Sequence, residues 1–103
     1  MNDISDRINE AIEGMQSHGI DFSHGDWCVV IHPALAPKLT GRLTDKWHFC
    51  SKTGKELEII QDPRLRPGAV TIVDASLALY KEGINGEWKT LRDWWNDERR
   101  KGR

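Results

Sequence analysis

The chain has 103 residues, which is enough for one hydrophobic core and too few for two. With 38% apolar residues, 30% charged residues and a net charge of −1 at pH 7, its composition excludes an intrinsically disordered chain. The first 26 residues hold six acidic side chains and one arginine, and the remainder is mildly basic. This distribution argues against nucleic-acid or membrane binding over the whole surface, although it permits a local basic patch.

The amino terminus lacks a basic stretch followed by an apolar run, and no segment approaches the 18 consecutive apolar residues of a membrane span. We therefore expect a cytoplasmic protein that does not associate with membranes. In that compartment Cys28 and Cys50 are expected to be reduced thiols rather than a disulfide.

The first segment has apolar residues at steps of three and four, which predicts an amphipathic helix; they are Ile4, Ile8, Ala11, Ile12 and Met15. Asp3 is the expected N-cap, and His18-Gly19 is expected to end the helix. The outward face carries Asp6, Glu10 and Glu13. It is either a solvated face or a docking face for a basic partner.

The middle of the chain predicts strands. Residues 27–32 are β-branched and aromatic and are followed by Pro33, so they predict the first strand. Residues 46–50 and 55–60 alternate on both sides of a turn containing Gly54, which predicts a hairpin. Residues 33–41 are either a loop or one helical turn. Residues 62–68 predict a surface loop, and residues 69–73 a further strand.

Residues 74–83 are compatible with a short helix capped by Asp74 or with a strand, and we favour the helix. In the last segment Trp88, Leu91 and Trp95 recur at helical spacing, and basic residues follow at its end, so it predicts a second amphipathic helix. The expected fold is a single α+β domain over residues 1–103. It has an antiparallel or mixed sheet of about four strands, packed by an N-terminal and a C-terminal amphipathic helix.

Two clusters raise the question of chemistry. Cys28, His32, His48 and Cys50 are zinc-ligand types on two predicted strands, and they would converge if those strands were neighbours. Their spacing matches no recognised zinc motif, so the simpler interpretation is buried thiols and hydrogen-bonded imidazoles. Whether the four residues meet depends on the strand order, and we assign no metal and no cofactor.

The second cluster, residues 21–26, places Ser23 and His24 between Asp21 and Asp26. These residue types serve nucleophilic catalysis, but neighbours in sequence seldom point at one another, and a turn is the plainer interpretation. The chain also lacks a Gly-rich phosphate loop, a His-Glu-x-x-His motif and a nucleophile elbow. We assign no catalytic residue, and the balance favours a protein that is not an enzyme.

Five tryptophans are more than so small an interior requires, since each ring can bury about 200 Å². We expect at least one indole to be left for contact with a partner, because exposed tryptophan is frequent among interface hot spots. The candidates are Trp94, which we place at the edge of the last helix, with Arg92, Arg99 and Trp88. The leading hypothesis is a non-enzymatic domain that binds a protein partner, and a homodimer is compatible with it.

The alternative is a nucleic-acid-binding module. Cations alternate with aromatic residues over residues 38–55, a pattern suited to pairing with phosphates and stacking on bases. Its candidate residues are Arg42, Lys46, Trp47, Lys52 and Lys55, assisted by the Arg-rich C-terminal helix. The opposing interpretation is that Trp47 faces the core while the lysines only solubilise the turn.

Overall fold

A computed structural model of the chain describes residues 4–38, 48–51, 56–81 and 84–102. These residues form two α-helices and six strands, together with a 3-10 helix over Pro33–Lys38. The elements are α1 (Ile4–Ser17), β1 (Trp27–Ile31), β2 (His48–Cys50), β3 (Glu56–Gln61), β4 (Val70–Asp74), β5 (Leu79–Lys81), β6 (Trp88–Thr90) and α2 (Leu91–Gly102). The 3-10 helix settles the open question at residues 33–41 in favour of a helical turn as far as Lys38.

The main sheet is mixed and has the order β2-β3-β1-β4. Strand β1 runs parallel to β3 and antiparallel to β4, whereas β2 and β3 form the predicted antiparallel hairpin. Strands β5 and β6 form a separate two-stranded antiparallel sheet. The predicted α+β class with helices flanking the sheet is confirmed.

The helices cover opposite faces of the main sheet because successive β1 side chains point in opposite directions. Val29 and Ile31 pack in one cluster with the apolar side of α1. Cys28 and Val30 pack in a second cluster with α2. All four side chains are at most 2% exposed, so β1 is buried on both faces.

Helix α1 follows the predicted pattern, since Ile8 and Ile12 are fully buried and Ile4 nearly so. The helix ends where the sequence indicates. Gly19 has φ 93°, which glycine adopts without steric cost, and its amide donates to the carbonyl of Gln16 at 3.0 Å.

The predicted helix over residues 74–83 is wrong. The Asp74 carboxylate accepts hydrogen bonds from the amide and hydroxyl of Ser76 at 3.1 and 2.6 Å, and this closes a turn. The chain then extends as β5, which pairs with β6 in the register Leu79↔Thr90, Tyr80↔Lys89 and Lys81↔Trp88. The pairing of two short strands overrides the local helical pattern.

The predicted start of the last helix is also wrong. Trp88 belongs to β6, and α2 begins at Leu91 after Thr90, whose hydroxyl accepts the Asp93 amide at 3.1 Å as an N-cap. The buried stripe of α2 therefore consists of Leu91 and Trp94, each 6% exposed, with Trp95 partly buried beside them. Trp94 belongs to the core and does not offer the exposed edge that we predicted.

None of the helices in the described ranges is long and apolar enough to cross a membrane.

Candidate functional site

A polar network lies between the main sheet and α2, with Arg92 at its centre. The Arg92 guanidinium donates two hydrogen bonds to Asp26, Nε to Oδ2 at 2.7 Å and Nη2 to Oδ1 at 2.8 Å. The same Nη2 lies 2.7 Å from Oε1 of Glu58. The three side chains are 16–32% exposed, so the charges are partly removed from water and have a defined geometry.

Two further residues of α2 meet Glu58. Its Oε2 accepts the indole N–H of Trp95 at 2.9 Å and the Nη1 of Arg99 at 3.0 Å. The guanidinium groups of Arg92 and Arg99 are therefore engaged within the chain. Of the predicted partner contacts, these two cations hold α2 on the sheet, and no local sequence signal indicated that they would share an acceptor.

The network controls the ionisation of its members. Hydrogen bonds from Arg92 hold the pKa of Asp26 below its usual value. Burial opposes ionisation of Glu58, but the hydrogen bond and charge of Arg92 outweigh it, and the pKa is again lowered. Both carboxylates are therefore charged at neutral pH, and the pKa of Arg92 is raised in turn.

Cys28 lies under this network and is a free, fully buried thiol. Burial, reinforced by the nearby Asp26 charge, raises its pKa to about 12. Nucleophilic and metal-binding cysteines require the thiolate, so Cys28 has the character of a packing residue.

The strand order separates the four zinc-type residues. Strand β3 lies between β1 and β2, and the registers place Glu58 between Cys28 and His48. His32 uses its Nδ1 to accept the Ala34 amide at 3.0 Å. The side chain of Cys50 lies outside the described residues. Within the described part of the chain, no group of three or more His, Cys, Asp or Glu residues is placed to hold a metal ion.

Residues 21–26 form a turn. The Ser23 hydroxyl donates to Oδ1 of Asp21 at 2.6 Å and the Ser23 amide donates to the same oxygen at 2.9 Å, as in an Asx turn. The side chain of His24 is 87% exposed and lies 3.7 Å from Asp21 Oδ2. Because the hydroxyl is directed at the carboxylate and not at the imidazole, the arrangement is not that of an activated serine.

The outer face of the β5–β6 hairpin exposes large apolar side chains. Leu77, Leu79, Ile84 and Trp88 are 76%, 66%, 90% and 64% exposed, and we call these four residues the hairpin patch. The register places Trp88 opposite Lys81 and diagonal to Leu79 on one side of the two strands. The Lys81 ammonium lies 5.8 Å from the Trp88 ring centroid. The expectation that at least one indole remains outside the core is confirmed for Trp88.

The inner face of the same hairpin is anchored by aromatic and cationic contacts. Tyr80 packs against Trp94 with ring centroids 5.6 Å apart, and the Arg64 guanidinium carbon lies 3.2 Å from the Tyr80 centroid. Arg64 is itself held by two hydrogen bonds to the buried Asp62, at 2.8 and 2.7 Å. The hairpin patch is therefore presented on a support that is fixed to the domain.

A shallow groove lies between β4 and β5, where Thr71 and Val73 face Leu79 and Tyr80, and its volume is ≈ 260 Å³. Pockets for small molecules typically span about 300–1,000 Å³ and enclose most of the ligand. This groove is therefore not a convincing small-molecule site.

The residues of the nucleic-acid alternative lie outside the described residues; they are Arg42, Lys46, Trp47, Lys52 and Lys55. That hypothesis stays a prediction.

Comparisons with protein-family models, with curated proteins and with solved structures found no match to this chain.

Proposed function

We propose that the chain is a non-enzymatic protein-binding domain that docks on its partner through the hairpin patch. The observation that carries this proposal is the exposure of Leu77, Leu79, Ile84 and Trp88 on one small hairpin. A small domain rarely leaves several large apolar side chains in water unless they serve an interface.

The construction of the hairpin supports the proposal. An isolated two-stranded hairpin is marginally stable, and this one is fixed by Tyr80 against Trp94 and Arg64. A fixed support means that little side-chain and backbone freedom is lost when the outer face binds. Trp88 is the expected anchor, because tryptophan in the centre of an interface is the residue type with the largest losses on truncation.

The chemistry of the hairpin patch defines the partner. Three aliphatic or aromatic rows face outward with one cation, Lys81, beside the Trp88 ring. The complementary surface is a protein cleft with apolar walls that receives the indole, and a carboxylate at its rim that meets Lys81. A nucleic acid fits less well, because the hairpin patch supplies one cation where several phosphate contacts are needed.

The experiment compares three immobilised forms of the chain in affinity capture from nuclease-treated native extract: wild type, Trp88→Ala and Arg99→Ala. Arg99 is the matched control, since it is also exposed and was also a candidate contact, but it lies on α2 and bonds to Glu58. We expect one protein to be captured stoichiometrically by wild type and by Arg99→Ala, and to be reduced at least about tenfold on Trp88→Ala.

The captured protein is then purified and its dissociation constant is measured against each form. Equal affinity for wild type and Trp88→Ala contradicts the proposal, as does capture that disappears with nuclease treatment. The melting temperature of Trp88→Ala should stay within a few degrees of wild type, because the side chain is mostly in water.

A further inference from the structure

The open edge of the main sheet is a second surface, separate from the hairpin patch. Strand β4 is last in the order β2-β3-β1-β4, and among the described strands it pairs only with β1. Edge strands are usually protected by a lysine, a proline or a bulge. The segment Val70–Asp74 has none of these, and its register with β1 is unbroken from Trp27↔Asp74 to Ile31↔Val70.

The hydrogen bonds around β1 show which groups of β4 face outward. The Ala75 amide donates to the Asp26 carbonyl at 2.7 Å, on the β4 side of β1, whereas the Ile31 carbonyl accepts the Asp62 amide at 2.8 Å on the β3 side. Backbone groups alternate in direction along a strand. Thr71 and Val73 therefore direct their amides and carbonyls to β1, and Val70 and Ile72 direct theirs away from the sheet.

Charge at the two ends of β4 selects the occupant of this edge. At its amino end the Arg7 side chain donates to the Gly68 carbonyl at 3.2 Å, and the exposed Arg66 is close by in sequence. At its carboxyl end the strand finishes in Asp74. An antiparallel partner with the same sequence brings the acidic end of one strand to the basic end of the other.

We propose that β4 pairs antiparallel with β4 of a second copy of this chain, around a twofold axis at Ile72. Val70 of each copy then lies opposite Asp74 of the other, and the two four-stranded sheets become one sheet of eight strands. The interface is isologous, so every outward amide of one strand meets an outward carbonyl of its symmetry mate.

Sedimentation velocity over about 1–500 µM tests the pairing, with Val70→Pro and Val70→Thr as a matched pair of variants. Proline removes the outward amide of Val70 without removing a bond to β1, whereas threonine keeps both the amide and the β-branched shape. We expect a reversible monomer–dimer equilibrium that Val70→Pro weakens at least about tenfold and Val70→Thr changes less than about threefold. Trp88→Ala should dimerise as wild type does.

A constant monomer mass over the whole range overturns the proposal, and so does a folded Val70→Pro that dimerises like wild type. If Val70→Pro does not fold, amide hydrogen exchange of the wild type decides. The Val70 and Ile72 amides should exchange more slowly as concentration rises, while the amide of Ser17, at the exposed end of α1, should not change. Exchange at Val70 and Ile72 that is independent of concentration overturns the pairing.

Discussion

Replacing Arg92 by methionine tests the polar network that fixes α2 to the sheet. The substitution keeps much of the side-chain volume but removes the two hydrogen bonds to Asp26 and the contact with Glu58. It leaves two carboxylates without their cation in a partly buried site. Breaking a fully buried ion pair costs about 3–5 kcal/mol. Because these side chains are 16–32% exposed, water recovers part of that loss, and we expect about 2–3 kcal/mol.

In a domain of about 100 residues this loss corresponds to a fall of roughly 10–20 °C in melting temperature, measured by circular dichroism at pH 7. The control is Arg99→Met, which removes a 55%-exposed guanidinium whose contact with Glu58 is a single hydrogen bond. It should cost less than about 1 kcal/mol. If Arg92→Met is no more destabilising than Arg99→Met, the network does not hold α2 in the way described.

Three further predictions concern stability and reactivity. Gly25→Ala should destabilise by about 1–3 kcal/mol in urea unfolding, since Gly25 has φ 88° and an added Cβ would lie 2.5 Å from Oδ2 of Asp74, whereas Gly14→Ala, in open space on α1, should stabilise by up to about 1 kcal/mol; a reversed order would contradict the turn geometry. Asp26 and Glu58 have folded-state pKa values below their ordinary 3.8 and 4.5, so the stability they confer is present above about pH 4.5 and is lost as pH falls through the lowered values; a free energy of unfolding that rises between about pH 5 and 3 would refute this. Cys28 should remain unlabelled by iodoacetamide at about pH 8 until urea unfolds the chain, as followed by mass spectrometry of its peptide, and rapid native labelling would show that the thiol is neither buried nor of raised pKa.

The fold class could be predicted because its signals are local and strong. The apolar spacing of α1 and the β-branched run of β1 each extend over enough residues to define one period. The strand order could not be predicted, because residues 28, 48 and 58 are brought into one row only by long-range pairing. That row also determined the outcome of the zinc hypothesis, since β3 separates the two strands that carry its ligands.

The errors in the C-terminal third have one physical origin. Strands β5 and β6 have three residues each, too short to show a period, and Trp88 happens to stand at helical spacing from Leu91. Once pairing places Trp88 in a strand, the helix starts later and its buried stripe shifts to Trp94. The candidate contact was therefore assigned to the wrong indole, although the reasoning that one indole would remain exposed was sound.

The central claim is that the outer face of the β5–β6 hairpin meets a protein partner. It is tested most directly by placing a benzophenone amino acid at position 88, and in parallel at the exposed position 17, and irradiating each form in native extract. The account predicts a covalent adduct with one protein other than this chain from position 88 and none from position 17. Adducts of the same proteins from both positions, or none from position 88, would contradict it.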